Sequence, residues 1–171
     1  MPTPREQPLD MLDLAATGKV VERQYPVAAF RRLGDRLAEP GGSVQARLAL
    51  GMIDGTPTGV LRLQAGVTLV CQRCLRPVRR TVESESQLAF VAKDDAPLPA
   101  DHEPIVGDPR RVDLAAAVEE ELLLAVPLIA RHGPGEECGL PASAGSRESE
   151  PAPAAQEMRR PFAGLKDLMK H

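Results

Sequence analysis

Apolar residues fall at every second position between Val44 and Leu50: Val44, Ala46, Leu48 and Leu50 alternate with Gln45, Arg47 and Ala49. That period of two predicts a half-buried strand over 43–52. Asp54-Gly55-Thr56-Pro57 makes a turn. A second strand follows over 60–71, with Val67 and Leu69 on one face, Thr68 and Val70 on the other, and a break or bulge expected at Gly66. In a third run, 78–91, one face carries Val78, Arg80, Val82, Ser84, Ser86, Leu88 and Phe90, so the alternation is clean only at its ends. The simplest topology is an antiparallel meander of three or four long strands, with Cys71 and Cys74 at a hairpin tip.

The pattern changes period after Asp113. Leu114, Ala117, Val118, Glu121, Leu122 and Ala125 form one stripe at helical spacing, Asp113 is an acceptable N-cap, and Pro127 stops the helix near Ala125. Glu121 lies within that stripe. It is expected to be a boundary residue whose stem packs while its carboxylate reaches water; the alternative is a partner for Arg62 or Arg80. Elsewhere, 19–23 suggests a strand and 27–37 one or two helical turns, closed by Pro40-Gly41-Gly42. Residues 93–109 read as an acidic, proline-rich loop in which Ile105 and Val106 add a short edge strand.

These elements predict an α+β fold, an antiparallel sheet with one principal helix packed on it and flexible tails. The expected layout is a loose N-terminal arm (1–18), the α+β domain (19–132), a disordered Ala/Pro/Glu linker (133–158) and a short amphipathic motif (159–171). In that last motif Phe162, Leu165 and Leu168 share a helical face. Alone it is too short to be stable in water, so docking on the body or on a partner would order it.

Composition narrows the function. Of 171 residues, 43% are hydrophobic but only 2% aromatic, so Leu, Val, Ala and Ile must build the core. Scarce aromatics also argue against a base-stacking platform for single-stranded nucleic acid. The net charge of −3 hides an asymmetry. Arg62, Arg73, Arg76, Arg79 and Arg80 occur with no acid among them, while the chain beyond Glu83 is strongly acidic. Such a basic rim can meet RNA phosphate or an acidic protein surface locally, which makes Arg73, Arg76, Arg79 and Arg80 candidate contacts for RNA or a partner. No apolar run approaches the ~20 residues of a membrane span, and the N-terminus lacks the apolar segment of a signal peptide. A cytoplasmic protein without a membrane partner is expected.

Three cysteines and this N-terminus argue against a disulfide scaffold. Cys71-x-x-Cys74 has the spacing of half a tetrahedral zinc site. Cys138 is the obvious third ligand and His132 a fourth, with His102, Glu136, Glu137 or water as alternatives. Two other readings stay open: thiol redox chemistry, which prefers the pair at a helix start rather than between strands, and reduced structural thiols without metal. There is no Walker or dinucleotide-binding loop, no His-Glu-x-x-His and no Gly-x-Ser-x-Gly. The chain is not expected to be an enzyme, and no small-molecule substrate is evident.

Two stretches carry a resemblance. VTLVCQRCLRPVRRTVE, then VDLAAAVEEELLLAVPLIARH and Cys138, and finally Arg160-Pro161-Phe162-Ala163-Gly164-Leu165, resemble the YceD family in order and spacing. The matched positions are Cys71, Arg73, Cys74, Asp113, Glu119, Glu121, Pro127, His132 and Cys138. This chain has Glu120 where the family often has Asp. The resemblance implies a bacterial protein, with plastid relatives, linked to accumulation of large-subunit ribosomal RNA. Its expected role is a non-catalytic ribosome-biogenesis factor acting in synthesis, processing or stability of 23S rRNA. Its partner would be a 23S rRNA precursor or a large-subunit assembly protein. The alternative role is a zinc-stabilised adaptor that binds protein and affects the RNA indirectly.

Overall fold

The computed structural model describes residues 7–134, 136 and 138. The expected C-terminal motif, including Phe162, Leu165 and Leu168, lies outside the described residues, as does most of the expected linker.

Regular structure is already present within the stretch expected as a loose arm. Helix α1 (Met11–Ala16) is capped by the Asp10 carboxylate, which accepts the N–H groups of Leu12 and Asp13, and it buries Met11 and Ala15. Leu9 exchanges two backbone hydrogen bonds with Val112, at 2.9 and 3.0 Å. The segment expected as a loose arm is therefore folded from Leu9 onward. A helix of six residues offers too few apolar positions for its periodicity to register, and a distant partner holds it. Strand β1 (Val20–Pro26) leads into two 3₁₀ turns, Val27–Ala29 and Arg31–Arg36, which occupy the stretch where helical turns were expected.

The short strand β2 (Leu37–Glu39) precedes three long ones: β3 (Ser43–Ile53), β4 (Thr56–Val70) and β5 (Pro77–Val91). Strands β3 and β4 join through Asp54 and Gly55, both in the left-handed region at φ 48° and 79°. That is the two-residue hairpin that an Asp-Gly pair favours. The pairing β4–β5 runs from Thr58↔Ala89 to Val70↔Pro77 without a shift, so the bulge expected at Gly66 is absent. Gly66 instead marks the point on β4 where pairing to β3 ends, at Val44↔Ala65, and pairing to β2 begins, at Glu39↔Thr68.

Gly42, at φ 111°, meets Gly66 there: a Cβ on Gly42 would lie 2.2 Å from the Gly66 carbonyl oxygen. Gly42→Ala combines a backbone conformation hostile to L-residues with a collision against main chain. It is expected to cost about 2–4 kcal/mol, measured as a shift in urea midpoint. Gly41→Ala, with open space around it, is the control and should move the midpoint little.

The six-stranded sheet has the order β1-β3-β4-β5-β6, with β2 on β4. Strand β6 (Glu103–Val106) is the expected edge strand, but it runs parallel to β5, in the register Phe90↔Ile105. The sheet is thus mixed rather than wholly antiparallel. The connection over 92–102 has the length of a crossover, not of a hairpin turn. Helix α2 (Leu114–Ala125) then packs on the sheet, its N-terminus capped by Asp113 and its end where Pro127 requires. The core lies between one sheet face and α1, α2 and the 3₁₀ turns. Leu61, Leu63, Ala65, Val67 and Leu69 of β4 supply its floor, and Tyr25, Phe30 and Phe90 are buried in it.

The three consecutive glutamates of α2 go to three places. Glu120 points outward beside Arg32. Glu119 is buried and accepts the Arg32 backbone N–H at 2.9 Å, satisfying a donor at the start of the second 3₁₀ turn. Glu121 is only 5% exposed and accepts a hydrogen bond from the Ser86 hydroxyl. It neither reaches water nor pairs with Arg62 or Arg80, which corrects both expectations for it. Arg62 pairs across the open sheet face with Glu85 at 2.6 Å. Ser84 and Ser86, the interruption in the inward row of β5, were the available sign that a polar side chain descends there.

Candidate metal centre

Strands β4 and β5 close on residues 71–76. The Cys71 N–H donates to the Arg76 carbonyl at 3.0 Å and the Leu75 N–H to the Cys71 carbonyl at 2.8 Å. Leu75 takes φ 59°, which a non-glycine residue accepts only where its surroundings over-determine it. This tight knuckle sets Cys71 and Cys74 side by side, both buried. Beyond α2, Pro127 forces the chain to extend, and the Gln72 N–H takes the Ala130 carbonyl at 2.8 Å. The exit segment is thereby fastened along the knuckle, and His132 and Cys138 arrive beside the two thiols.

Cys71, Cys74, His132 and Cys138 form a cluster able to hold a metal ion: one ligand atom from each lies within 4.8 Å of all the others. Cys71 Sγ and Cys138 Sγ are 3.7 Å apart, and Cys74 Sγ is 3.5 Å from His132 Nδ1. A tetrahedral zinc with Zn–S near 2.3 Å and Zn–N near 2.05 Å requires about 3.8 Å between sulfurs and about 3.6 Å between sulfur and nitrogen. The geometry therefore fits the ion without rearrangement at those two edges. His132 is oriented for the role. Its Nε2–H donates to the Pro77 carbonyl at 3.1 Å, which leaves the Nδ1 lone pair turned to the thiols, the usual support of a metal-bound imidazole.

Electrostatics favour thiolate at Cys71. Burial opposes ionisation, but hydrogen bonds from the backbone N–H groups of Cys74, Arg73 and His132 prevail. They bring the thiol down to about 5. Burial pushes Cys138 up, opposed by Arg73. The Arg73 Nε–H donates to Cys138 Sγ at 2.9 Å, and that bond raises the guanidinium's own value. Three thiolates around a dication leave one negative charge, which Arg73 is placed to balance.

The other arginines separate. Arg80 is half-buried on the inner face of β5 and donates to the Arg131 carbonyl, with Glu136 3.4 Å away. Glu136 also accepts the Gly133 N–H, and these contacts hold its carboxyl below the usual range. Arg80 thus braces the exit segment from the inner face of β5 and Arg73, itself exposed, holds Cys138 at the knuckle, whereas Arg79 is exposed on the opposite face of β5 and Arg76 is exposed at the tip. The expected single basic patch is two pairs with different surroundings. Of the alternative fourth ligands, His102 lies outside the cluster beside the Ala100 carbonyl, Glu136 is engaged as described, and Glu137 is outside the described residues. The compact unit that holds the cluster runs to Cys138, six residues beyond the expected boundary. Arg73 as a sulfur partner and Glu119 as a cap were not legible in the sequence, since each depends on a residue far along the chain.

Fold and site together define a class: an α+β domain whose longest hairpin ends in a Cys-x-x-Cys knuckle, completed into a four-ligand cluster by the segment after its main helix. The chain belongs to the YceD family. The profile described as "Large ribosomal RNA subunit accumulation protein YceD" matches residues 60–169, from β4 through the knuckle, α2 and the cluster. The chain is 36% identical over 119 residues to the Large ribosomal RNA subunit accumulation protein YceD of Haemophilus influenzae, and the match covers 67% of each chain. No solved structure matches it significantly. Among the described residues no helix is long and apolar enough to cross a membrane.

Proposed function

We propose that this protein is a non-catalytic ribosome-biogenesis factor that supports accumulation of 23S rRNA, with zinc held by Cys71, Cys74, His132 and Cys138. The observation that carries the reading is the compact four-residue Cys/His cluster at the tip of the hairpin, within a chain of a family named for large-subunit ribosomal RNA. Bound zinc would supply a cross-link and no reaction step. It would fix the knuckle to the exit segment and so present Arg76, Leu75, Leu128 and Ile129 on one braced surface. Leu75, Leu128 and Ile129 are 67%, 82% and 60% exposed, and apolar side chains so exposed around arginines suit a macromolecular partner.

A 23S rRNA precursor is the partner this reading favours. Purified protein is expected to bind pre-23S transcripts with an affinity that falls steeply with salt. Arg76→Ala with Arg79→Ala should lower the slope of log K against log salt by about 1.5, the share of two phosphate contacts. RNA crosslinking in cells with sequencing tests the reading directly, and enriched pre-23S reads are the expected result. The exposed leucines and Ile129 also favour a second reading, an adaptor that binds a large-subunit assembly protein. Absence of pre-23S enrichment, with capture of such a protein lost in Leu128→Ser and Ile129→Ser, would replace the first reading by that one.

A further inference from the structure

About 30 Å from the tip, ten residues along β5 at ~3.3 Å each, the molecule has a second surface of opposite character. Strand β6 pairs only at 88–91, at the far end of β5. Between β6 and α2 runs an open groove of ≈ 630 Å³. Its apolar part comprises Ile105, Val106 and Leu124; Val106 is 51% and Leu124 72% exposed. Its rim carries Glu103, Asp108 and Glu120 against one basic side chain, Arg111.

The backbone beside the groove is equally specific. Gly107 donates its N–H to the Val91 carbonyl at 2.8 Å. By strand alternation Val106 then turns both its N–H and its C=O away from β5, and Pro104 its C=O. Pro104 stands where its missing N–H leaves the β5 ladder intact. Among the described residues, no backbone hydrogen bond reaches β6 from that side.

We propose that the groove between β6 and α2 binds an extended basic segment of a protein partner, added as a strand along the β6 edge. Main-chain hydrogen bonds to Pro104 and Val106 supply the alignment. Alternate apolar side chains of the segment enter on the α2 side against Ile105 and Leu124, the intervening Lys or Arg side chains run over Val106 towards Asp108, and the carboxylates of Glu103 and Glu120 add to the attraction for a cationic strand. The carboxylates that attract such a segment repel phosphate, so this surface excludes nucleic acid while the tip faces the other way. The inference goes beyond the reading of the tip and does not rest on it.

The test uses the full chain and a fluorescein-labelled eight-residue peptide alternating Lys and Val, followed by anisotropy. A peptide alternating Lys and Gly is the control. The Lys-Val peptide is expected to bind at least tenfold more tightly than the Lys-Gly peptide. Glu103→Lys should weaken it about tenfold. Leu124→Glu is decisive, because it adds attraction for a cation while removing the apolar wall. The proposal requires it to weaken binding at least tenfold, whereas a merely acidic surface would bind more tightly. Both positions are exposed, and circular dichroism confirms that each variant is folded. Equal affinity for the two peptides, or tighter binding by Leu124→Glu, overturns the proposal. Because no ribosomal RNA is present, neither result bears on the proposed function of the tip.

Discussion

Cys71→Ser protein is expected to leave purification with less than about a tenth of an equivalent of zinc, where the wild type carries about one. Cys71 is fully buried, receives backbone N–H groups from three residues and lies 3.7 Å from Cys138. Its replacement therefore removes the best-prepared thiolate of the three. Serine keeps the shape of the side chain but is a far poorer ligand, so the hairpin persists while the cross-link is lost. With free zinc at about a hundred times its dissociation constant, the ion adds roughly 2.7 kcal/mol to folding. The variant should then melt roughly 10 °C below the zinc-loaded wild type. A strong chelator should lower the wild-type midpoint towards that of the variant and leave the variant unmoved. Zinc content in Cys71→Ser equal to that of the wild type, by plasma mass spectrometry, would refute the assignment.

Leu122→Ala should produce a loss of similar or larger size through a different cause. Leu122 is fully buried in the cluster of side chains joining α2 to the sheet. Truncating a buried leucine costs about 2–5 kcal/mol, the transfer of its methyl and methylene groups plus the cavity they leave. No ligand of the candidate metal centre lies on α2, so the variant should keep its full equivalent of zinc while its denaturant midpoint falls. The two variants thus separate metal from core: one loses zinc with the packing intact, the other loses packing with the zinc retained. A midpoint for Leu122→Ala within experimental error of the wild type would mean that α2 does not seal this face.

The long elements were legible because their periodicity is local. The row Val44, Ala46, Leu48, Leu50, the Asp54-Gly55 turn and the stripe from Leu114 to Ala125 each state their structure within a dozen residues. The four metal-ligand candidates were legible as a set, since Cys-x-x-Cys is distinctive, Cys138 is the one other cysteine and His132 is the histidine nearest to it in sequence. Their arrangement was not. The residues from Cys71 to Cys138 come together only because the Gln72–Ala130 hydrogen bond and Pro127 bring the exit segment to the knuckle.

Arg73 and Arg79 show the same limit at the level of single side chains. By sequence both belonged to one basic cluster, yet the turn aims Arg73 at a sulfur 65 residues away while strand alternation exposes Arg79 on the far face. Glu121 was ambiguous for a related reason. A carboxylate in an apolar stripe can reach water or descend onto a partner, and the Ser86 hydroxyl that decides the matter belongs to another strand.

By itself, then, the sequence determined the α+β class, the long strands, the principal helix, the hairpin position of the cysteines and the family. These follow from spacing and local chemistry, which a chain carries wherever it folds. The tertiary structure alone decided the folded start at Leu9, the parallel direction of β6, the inward turn of Glu119 and Glu121, and the division of the arginines. It also decided the closure of the four-residue cluster and the acidic groove beside β6. Each of these depends on which distant segments share a surface, and that is set by burial and hydrogen bonding across the whole domain rather than by any one stretch of it.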